Sequence, residues 1–467
     1  MAQKATGRRQ GAVPMVGIIV VNHNGGDLTL RCLRSLARTD WPPDGLRVVL
    51  VDNASSDGVV AQVSASHSDV TVLETGANIG FGGACNAGFD LLSDADFIGL
   101  VNNDARVEPG WLMPLVDVLE NQPDVGAALP KILFDGAFVD VFLESEVRRR
   151  GRGDKRALGV RLSGVQIDGD DAWGSVQLVS GFWGLEHDPN DRSPFEWTDG
   201  AGHVRIPVPA TGSLPSCRFK LSADDKCTVV IRSGHNRVEH IVSDEADLYD
   251  VPLGGEPLDV VNNVGSVLLA DGHGADRGYL QPADENFTES EEVFAWCGAG
   301  VLLSRRYLDE VGGFDDRFFL YYEDLDLSWR GRALGWRHVY VPDAVVRHVH
   351  SATTVEGSAL FDHYVERNRL LTLTRNAPAS LAARAALRHV LVTGSYFRRD
   401  VVSPLARGAK PSLETVERRM RSFVDFARLL PDALGDRRRL RSVQRVPDVE
   451  LMSWVRMPGR RVIEHSQ

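Results

Sequence analysis

The stretch VGIIVVNHNGG, residues 16–26, places an apolar run directly before two asparagines, a histidine and paired glycines. The apolar run, residues 16–21, is long enough for one buried strand and too short to span a membrane. The polar residues that follow are therefore expected at the carboxyl end of a strand, which is where open α/β sheets bind ligands. The stretch predicts an α/β domain whose ligand site begins at Asn22 and Asn24.

Strand-like and helix-like segments alternate from residue 16 to about residue 134, which is typical of a parallel sheet wound with helices. Polar residues follow four of the predicted strands. Because the carboxyl ends of parallel strands share one edge of the sheet, we expect these residues to line a single crevice. They are Asn22 and Asn24 after the first strand, Asp52, Asn53, Ser55 and Asp57 after the second, Asn78 after the third, and Asn102, Asn103 and Asp104 after the fourth.

The glycine-rich segment GFGGACNAG, residues 80–88, separates two interpretations of this crevice. A dinucleotide-binding fingerprint requires GxGxxG directly after the first strand, with an acidic residue about 20 positions later. Here the glycines follow the third predicted strand instead. Hydride transfer with a bound dinucleotide is therefore the weaker interpretation.

The pattern changes near residue 140, where the Arg-rich turn RRRGRGDKR leads into short alternating runs such as HVRIPVP, CRFKLS and CTVVIRS. Several short strands separated by turn residues predict a β-sandwich inserted into the α/β domain. We expect a flexible N-terminus at 1–15, a first α/β part at 16–159, the sandwich at 160–262, a second part of the α/β domain at 263–375, and a basic helical region at 376–467.

The net charge of −12 is unevenly distributed along the chain. From Arg384 to the end there are 18 Lys and Arg against 9 Asp and Glu, a local balance of +9 that leaves −21 for residues 1–383. A basic region on an acidic body predicts contact with an anionic membrane surface, with a merely solvated helical region as the alternative. No nucleic-acid partner is expected, and homo-oligomerisation is left open.

The chain shows neither an apolar run of about 18 residues nor the apolar core of a signal peptide, so we expect a cytoplasmic protein, or one held peripherally at the inner face of the cell membrane. The cysteines are odd in number, scattered and without CxxC pairing, which argues against a disulfide framework or a zinc site. They are Cys32, Cys85, Cys217, Cys227 and Cys297.

Seven segments together resemble the GT-A fold glycosyltransferases of family 2, especially the bacterial rhamnosyltransferase-like and galactofuranosyltransferase-like members. They stand in the family's order and cover about 16–135 and 262–375. The segments are IIVVNHNG, VVLVDNASSDG, NIGFGGACNAG, GLVNNDARVEPGWL, AWCGAGVLLSRR, GGFDDRFFLYYEDLDLSWRGRALGW and VPDAVVRHVHSATT. The resemblance implies an inverting, metal-dependent transfer of a sugar from a UDP or dTDP donor to a hydroxyl of a glycan or lipid-linked glycan, as in cell-wall polysaccharide synthesis.

The same resemblance places the donor nucleotide at the crevice. It makes 16–159 the nucleotide-binding part and 263–375 the acceptor and catalytic part of the GT-A domain. Asp52 is expected to accept the N3–H of a uracil or thymine ring, because a carboxylate is a good acceptor for that donor. The alternative for Asp52 is a turn cap in DNASSDG, although Asp57 is the better candidate for a cap. The other residues expected to bind the donor nucleotide are Asn22, Asn24, Asn78, Asn86, Asn102 and Asn103.

A divalent ion, Mn or Mg, is expected to neutralise the leaving diphosphate. The family's usual motif is Asp-x-Asp, whereas this chain reads Asn102-Asn103-Asp104, so one carboxylate remains. By resemblance His348 is the second protein ligand, with His350 in reserve. The missing carboxylate also supports a different hypothesis, a catalytically degenerate polysaccharide-binding or scaffold protein.

The segment YYEDLDL, residues 321–327, supplies the base that transfer to a hydroxyl requires. The resemblance assigns this role to Asp324, with Glu323 helping to place the acceptor. Both carboxylates are expected at a helix amino terminus, which favours their ionised forms. Asp326 is not expected to act as the base. The acceptor is expected to contact Trp296, Gly298 and Arg277, with core packing as the alternative for Trp296.

Overall fold

The computed structural model describes residues 13–151, 154–188, 191–284, 286–349 and 358–457. These residues form two compact units. The first comprises residues 13–135, 262–278 and 287–457, and the second comprises residues 136–261 and 279–286. All but the last three residues of the predicted flexible segment 1–15 lie outside the described residues.

Strands and helices are numbered in chain order over the described residues. The strands are β1 (Val16–Asn22), β2 (Leu46–Asp52), β3 (Val70–Glu74), β4 (Phe97–Val101), β5 (Ala105–Val107), β6 (Val125–Phe134), β7 (Ala137–Ser145), β8 (Arg161–Ile167), β9 (Asp170–Asp171), β10 (Gln177–His187), β11 (Pro194–Val208), β12 (Cys217–Ser222), β13 (Cys227–Ser233), β14 (Asn236–Val242), β15 (Asp247–Asp250), β16 (Val261–Asn263), β17 (Ser266–Leu268), β18 (Gly274–Asp276), β19 (Glu291–Glu292), β20 (Gly300–Ser304) and β21 (Arg337–His348). The α-helices are α1 (Gly26–Leu36), α2 (Val59–Ser66), α3 (Gly80–Leu91), α4 (Leu112–Asn121), α5 (Arg305–Val311), α6 (Glu323–Ala333), α7 (Ala359–Asn376), α8 (Ala379–Phe397), α9 (Ser403–Ala406), α10 (Glu414–Val443) and α11 (Asp448–Leu451).

The first unit is built on a mixed sheet in the order β19-β21-β6-β20-β4-β1-β2-β3, with β5 paired to β21 and β16 to β6. Strands β4, β1, β2 and β3 are parallel, as the alternating sequence pattern predicts. In this register Asn22 pairs with Asp52, so the ends of β1 and β2 are level. The topology is that of the predicted GT-A fold, and it brings the polar strand ends to one edge of the sheet.

The second unit contains strands β7 to β15. Strand β11 pairs with β7 through its carboxyl half and with β8 through its amino half, so it joins both parts of this sheet. Buried residues from both parts, including Val139, Val204, Phe219 and Val229, share one core, as expected for the inserted β-sandwich. The unit begins at residue 136 rather than 160, because β7 pairs with β11 and β13.

The carboxyl-terminal helices belong to the first unit. Arg375, at the end of α7, is buried and pairs with Asp326 of α6 at 2.9 Å and with Asp436 of α10 at 2.7 Å. Asp326 is fully buried in this ion pair and has a structural role. Within the part of the chain that the structure describes, no helix combines the length and apolar character needed to cross a membrane.

Candidate active site

The side chain of Asn22, fully buried at the end of β1, organises the polar edge of the sheet. Its Nδ2 donates to Asp52 Oδ1 at 3.0 Å and to Ser55 Oγ at 2.9 Å. Because these bonds occupy the amide within the protein, Asn22 orients Asp52 and the loop after β1. Asn22 Oδ1 accepts from Gly25 N at 3.2 Å, Thr29 Oγ1 at 2.7 Å and Asn103 Nδ2 at 3.1 Å.

Asp52 and Asp57 have different local roles. The backbone N–H of Ser55 donates to Asp52 Oδ2 at 3.1 Å, so buried Asp52 also holds the turn that follows β2. Asp57 accepts from the N–H of Gly26 at 2.8 Å and from that of Val59 at 3.2 Å, the first residues of α1 and α2. Asp57 is therefore the cap, and Asp52 has one protein donor on each oxygen.

The loop after β3 is attached to the turn that precedes α6. Asn53 Nδ2 donates to Asn78 Oδ1 at 2.9 Å, and the N–H of Phe81 donates to the carbonyl of Phe319 at 2.7 Å. A Cβ at Gly80, where φ is +80°, would lie 2.4 Å from that carbonyl oxygen. Glycine is required at position 80 by both conformation and space.

Two of the asparagines predicted to bind the nucleotide have hydrogen-bond partners within the protein. Asn86 donates to the carbonyl of Phe314 at 3.0 Å and to Asp316 Oδ1 at 2.7 Å, and it accepts from Phe314 N at 2.9 Å. The amide of Asn86 therefore fastens α3 to the 314–316 segment, and its binding to the nucleotide stays a prediction. Asn24 is exposed, and its Oδ1 accepts from Ser56 N at 2.8 Å.

Asp104 and His348 come together where β5 and β21 pair. Asp104 Oδ1 lies 3.1 Å from His348 Nε2, and both side chains are less than a tenth exposed. His348 Nδ1 lies 3.1 Å from Oδ1 of the Asn262 side chain, and Asn102 Nδ2 lies 3.5 Å from His348 Nε2. With Nδ1 donating to Oδ1 of Asn262, Nε2 would have a free lone pair, so His348 and Asp104 could both serve as ligands of a cation.

This pair supplies one oxygen and one nitrogen ligand, a set that fits Mn²⁺ completed by phosphate oxygens and water. Among the described residues no group of three or more His, Cys, Asp or Glu side chains is arranged to hold a metal. A metal here would therefore depend on the donor diphosphate for its remaining ligands. His350, the reserve candidate, lies outside the described residues. Asn262 was not singled out from the sequence, where the only signal is its place in the polar pair of VVNNVG.

Glu323 and Asp324 form the first turn of α6, as predicted. The backbone N–H of Gly298 donates to Asp324 Oδ2 at 3.2 Å. Burial raises the pKa of both carboxyls; the charge of Asp324 adds to the rise at Glu323, and that of Asp276 adds to the rise at Asp324. Sequence reasoning expected the helix terminus to favour the ionised forms, but burial outweighs the hydrogen bond from Gly298.

The turn before α6 has an unusual backbone. Phe319, Tyr321 and Tyr322 have φ values of 64°, 66° and 70°, a region that costs energy for residues other than glycine. Asn368 of α7, fully buried, holds this turn. Its Nδ2 lies 2.9, 2.7 and 2.8 Å from the carbonyl oxygens of Phe318, Leu320 and Tyr321. Asn368 therefore fixes the start of the helix that carries Glu323 and Asp324, a role that no sequence motif signals.

The three residues predicted to bind the acceptor have different surroundings. Gly298 contacts Asp324, as described. Trp296 is 0% exposed and packs edge-on against Phe314 at 6.0 Å, so the expected stacking on a sugar is corrected to core packing. Arg277 lies over the ring of Phe287 at 4.7 Å and pairs with Glu291, so its charge is already matched within the protein.

Family models match both parts of the chain that carry these residues. Residues 17–164 match the model described as Glycosyl transferase family 2, and residues 273–369 match Glycosyltransferase like family 2. The chain is a family 2 glycosyltransferase. The matched ranges include Asp52 and Asp104 in the first and Glu323, Asp324 and His348 in the second. The resemblance read from the seven segments is confirmed.

A relative of this glycosyltransferase is the N-acetylglucosaminyl-diphospho-decaprenol L-rhamnosyltransferase of Mycobacterium tuberculosis. The two are 25% identical over 416 residues, which cover 86% of this chain and 98% of the relative.

Two solved structures are similar to this chain at lower sequence identity. The mannosyltransferase PcManGT from Pyrobaculum calidifontis, in complex with GDP-Man and Mn²⁺, is 14% identical with a TM-score of 0.38, covering 95% of this chain and 79% of the other. GalNAc-T7 with UDP, GalNAc and Mn²⁺ is 12% identical with a TM-score of 0.44, covering 91% and 58%. With both TM-scores this low, the fold assignment rests on the strand order and the family matches.

Proposed function

We propose that this glycosyltransferase moves a rhamnose- or galactofuranose-like sugar from a dTDP or UDP donor to a hydroxyl of a lipid-linked glycan, in the synthesis of a cell-wall polysaccharide. Rhamnose is the first choice, because the relative that matches over 98% of its own length is named for L-rhamnose transfer to N-acetylglucosaminyl-diphospho-decaprenol. The observation that carries the proposal is the convergence of Asp104, His348 and Asp324 on the ends of β4 and β20.

That convergence follows from the strand pairing. Gly298, whose N–H holds Asp324, lies two residues before β20, and β20 runs antiparallel to β4. The N–H of Asn102, one residue after β4, donates to the carbonyl of Ala299 at 3.2 Å. Asp104 follows Asn102 by two residues. A general base and a ligand for the leaving diphosphate are therefore carried by neighbouring strand ends.

The reaction we propose inverts the configuration at the anomeric carbon of the transferred sugar. Asp324 accepts the proton of the acceptor hydroxyl, whose oxygen then forms a bond to the anomeric carbon of the donor. The bond between that carbon and the diphosphate oxygen breaks, and the electron pair leaves with the nucleoside diphosphate. Only one base is needed and no covalent sugar intermediate is formed, so the acceptor attacks from the face opposite the leaving group.

Donor recognition uses the edge of the sheet described above. Asp52 accepts the N3–H of the uracil or thymine ring, since each of its oxygens has one protein donor and can accept a second hydrogen bond. Asp104 and His348 would hold a divalent ion, Mn or Mg, which neutralises the charge of the diphosphate when bound. Asn22, Asn103 and Asn53 keep this edge in place. Glu323 assists in placing the acceptor.

The site of action follows from the acceptor. A lipid-linked glycan with a diphosphate lies at a membrane surface, so we place the enzyme at the inner face of the cell membrane as a peripheral protein.

A donor and acceptor screen tests the proposal. Purified enzyme with Mn²⁺ is incubated with dTDP-rhamnose, UDP-galactofuranose or GDP-mannose and a short-chain polyprenyl-diphospho-N-acetylglucosamine acceptor. We expect product from dTDP-rhamnose, or failing that from UDP-galactofuranose, and none from GDP-mannose. Exclusive use of GDP-mannose would overturn the donor class. Turnover with none of the donors, together with binding of polysaccharide, would favour the scaffold hypothesis.

A further inference from the structure

Helix α8 and the residues that follow it expose a continuous apolar face. The helix runs on through a π-helical turn, residues 398–402, into α9, so that 379–406 form one helical rod about 40 Å long at about 1.5 Å per residue. Six large apolar side chains on it are between 45% and 64% exposed. We call them the apolar stripe, and they are Leu387, Val390, Leu391, Phe397, Val402 and Leu405.

The stripe is separate from the face by which α8 packs on its own unit. Leu381, Ala385, His389 and Thr393 are the buried residues of α8, and they recur at intervals of four. His389 lies 3.2 Å from Glu366 of α7 and 3.1 Å from the carbonyl of Arg419 of α10. The inward face thus has its partners within the unit, whereas the stripe projects from the opposite side of the rod.

The residues around the stripe are strongly basic. Residues 379–413 contain six Lys and Arg and a single acidic residue, Asp400. Arg399 forms an ion pair with Asp400. Three other arginines are exposed and form no ion pair with a carboxylate of the described residues: Arg384, Arg398 and Arg407. The basic residues are Arg384, Arg388, Arg398, Arg399, Arg407 and Lys410.

An apolar face flanked by exposed arginines is typical of a helix that lies in the interface of an anionic membrane. A second copy of the chain fits less well, because a symmetric contact would place this basic face against its own copy. The apolar side chains are stabilised by a surface that removes them from water, and the surrounding arginines are attracted to a surface with negative charge. A leaflet rich in anionic lipid supplies both.

We propose that the apolar stripe inserts into the headgroup region of an anionic membrane leaflet and anchors the enzyme there. The choice of a membrane as the occupant draws on the proposed lipid-linked acceptor, while the exposed stripe and the free arginines are independent of it. Anchoring would hold the active site at the surface where such an acceptor is embedded.

Flotation of the full-length protein with vesicles tests this inference. Vesicles of phosphatidylglycerol and phosphatidylcholine are compared with vesicles of phosphatidylcholine alone, at 50 and 500 mM salt. We expect wild-type protein to float with the anionic vesicles and to be released by high salt. The double variant Leu387→Asp, Leu391→Asp should bind at least roughly tenfold more weakly, because two apolar side chains no longer insert.

A matched control separates the stripe from general effects of a surface charge. Ile241→Asp changes a residue of β14 that is 62% exposed, in the second unit, and should leave vesicle binding unchanged. Equal melting temperatures of the three proteins establish that each is folded. Activity on a water-soluble acceptor should be equal in all three, so failure of the proposed reaction would be visible separately from failure of anchoring.

Two results would overturn the inference. One is binding of the double variant to anionic vesicles as strong as that of wild type. The other is a wild-type dimer in analytical ultracentrifugation that the double variant loses, with no vesicle binding by either, which would assign the stripe to self-association.

Discussion

Oδ1 of Asp104 lies 3.1 Å from Nε2 of His348, across the pairing of β5 with β21, and both side chains are less than a tenth exposed. The two residues are more than 240 positions apart in sequence, so only the fold makes them neighbours. Under the proposed function, one carboxylate and one imidazole would take the place of the two carboxylates of the family's usual motif. A cation between them would need further ligands from the donor.

The Asp104–His348 pair predicts metal-dependent donor binding. Asp104→Ala should weaken binding of dTDP or UDP in the presence of Mn²⁺ by at least roughly tenfold, because the diphosphate would lose the cation that Asp104 helps to hold. Isothermal titration calorimetry with and without Mn²⁺ measures this. Asp117→Ala, which removes an exposed carboxylate on α4, serves as the control. Nucleotide binding that is equally tight without metal would contradict the assignment.

The buried position of Asp324 predicts an unusual pH profile. The base acts in its ionised form, and burial raises its pKa, so activity should fall as pH decreases at a higher pH than for an ordinary aspartate. The measurement is kcat/KM between pH 4.5 and 9 with a soluble acceptor. If kcat/KM falls only near the ordinary pKa of aspartate, burial does not control the pKa of Asp324.

Replacing Glu323 by a neutral residue should stabilise the protein, and the size of this effect should depend on pH. Burial and the charge of Asp324 raise the pKa of Glu323, so its protonated form stabilises the fold at low pH and this contribution is lost as pH rises through the raised pKa. Glu323→Gln should therefore melt at a higher temperature than wild type at pH 9 and at nearly the same temperature at pH 4. A difference independent of pH would argue against ionisation as its cause.

Asn368 is predicted to position the catalytic helix without touching substrate. Asn368→Ala removes this donor from the carbonyls of Leu320 and Tyr321 in the strained turn, which should lower the free energy of unfolding by roughly 2–4 kcal/mol. We also expect kcat to fall with little change in donor affinity, because Asp324 loses its fixed position. Asn376→Ala, in the Asp326 ion-pair network, is a control for destabilisation alone. Equal losses of kcat in both variants would reduce Asn368 to a general structural role.

The local parts of this site are predictable from the sequence. An apolar run followed by polar residues predicted the strand end at Asn22, and the register that pairs Asn22 with Asp52 follows from parallel pairing of consecutive strands. The start of α6 at Glu323 was likewise signalled by the change from aromatic to helical periodicity. In each case neighbouring residues along the chain decide the structure.

The parts that could not be predicted depend on distant segments. Asn86 turns toward residue 314, and Trp296 is buried against Phe314, through contacts that no local pattern encodes. Strand β7 joins the second unit because of its pairing with β11, which lies about 60 residues later. The role of Asn368 also depends on a turn almost 50 residues away. Tertiary contacts, rather than propensity, determine each of these outcomes.

The stereochemistry of transfer, measured for wild type and Asp324→Asn, tests the central claim most directly. Product from dTDP-rhamnose and a soluble acceptor is analysed by NMR for its anomeric configuration, and donor binding is measured on the same samples. We predict inversion by wild type, and a kcat reduced by roughly 10²- to 10⁴-fold in Asp324→Asn with donor binding retained. Retention of configuration, or an unchanged kcat in the variant, would contradict the account.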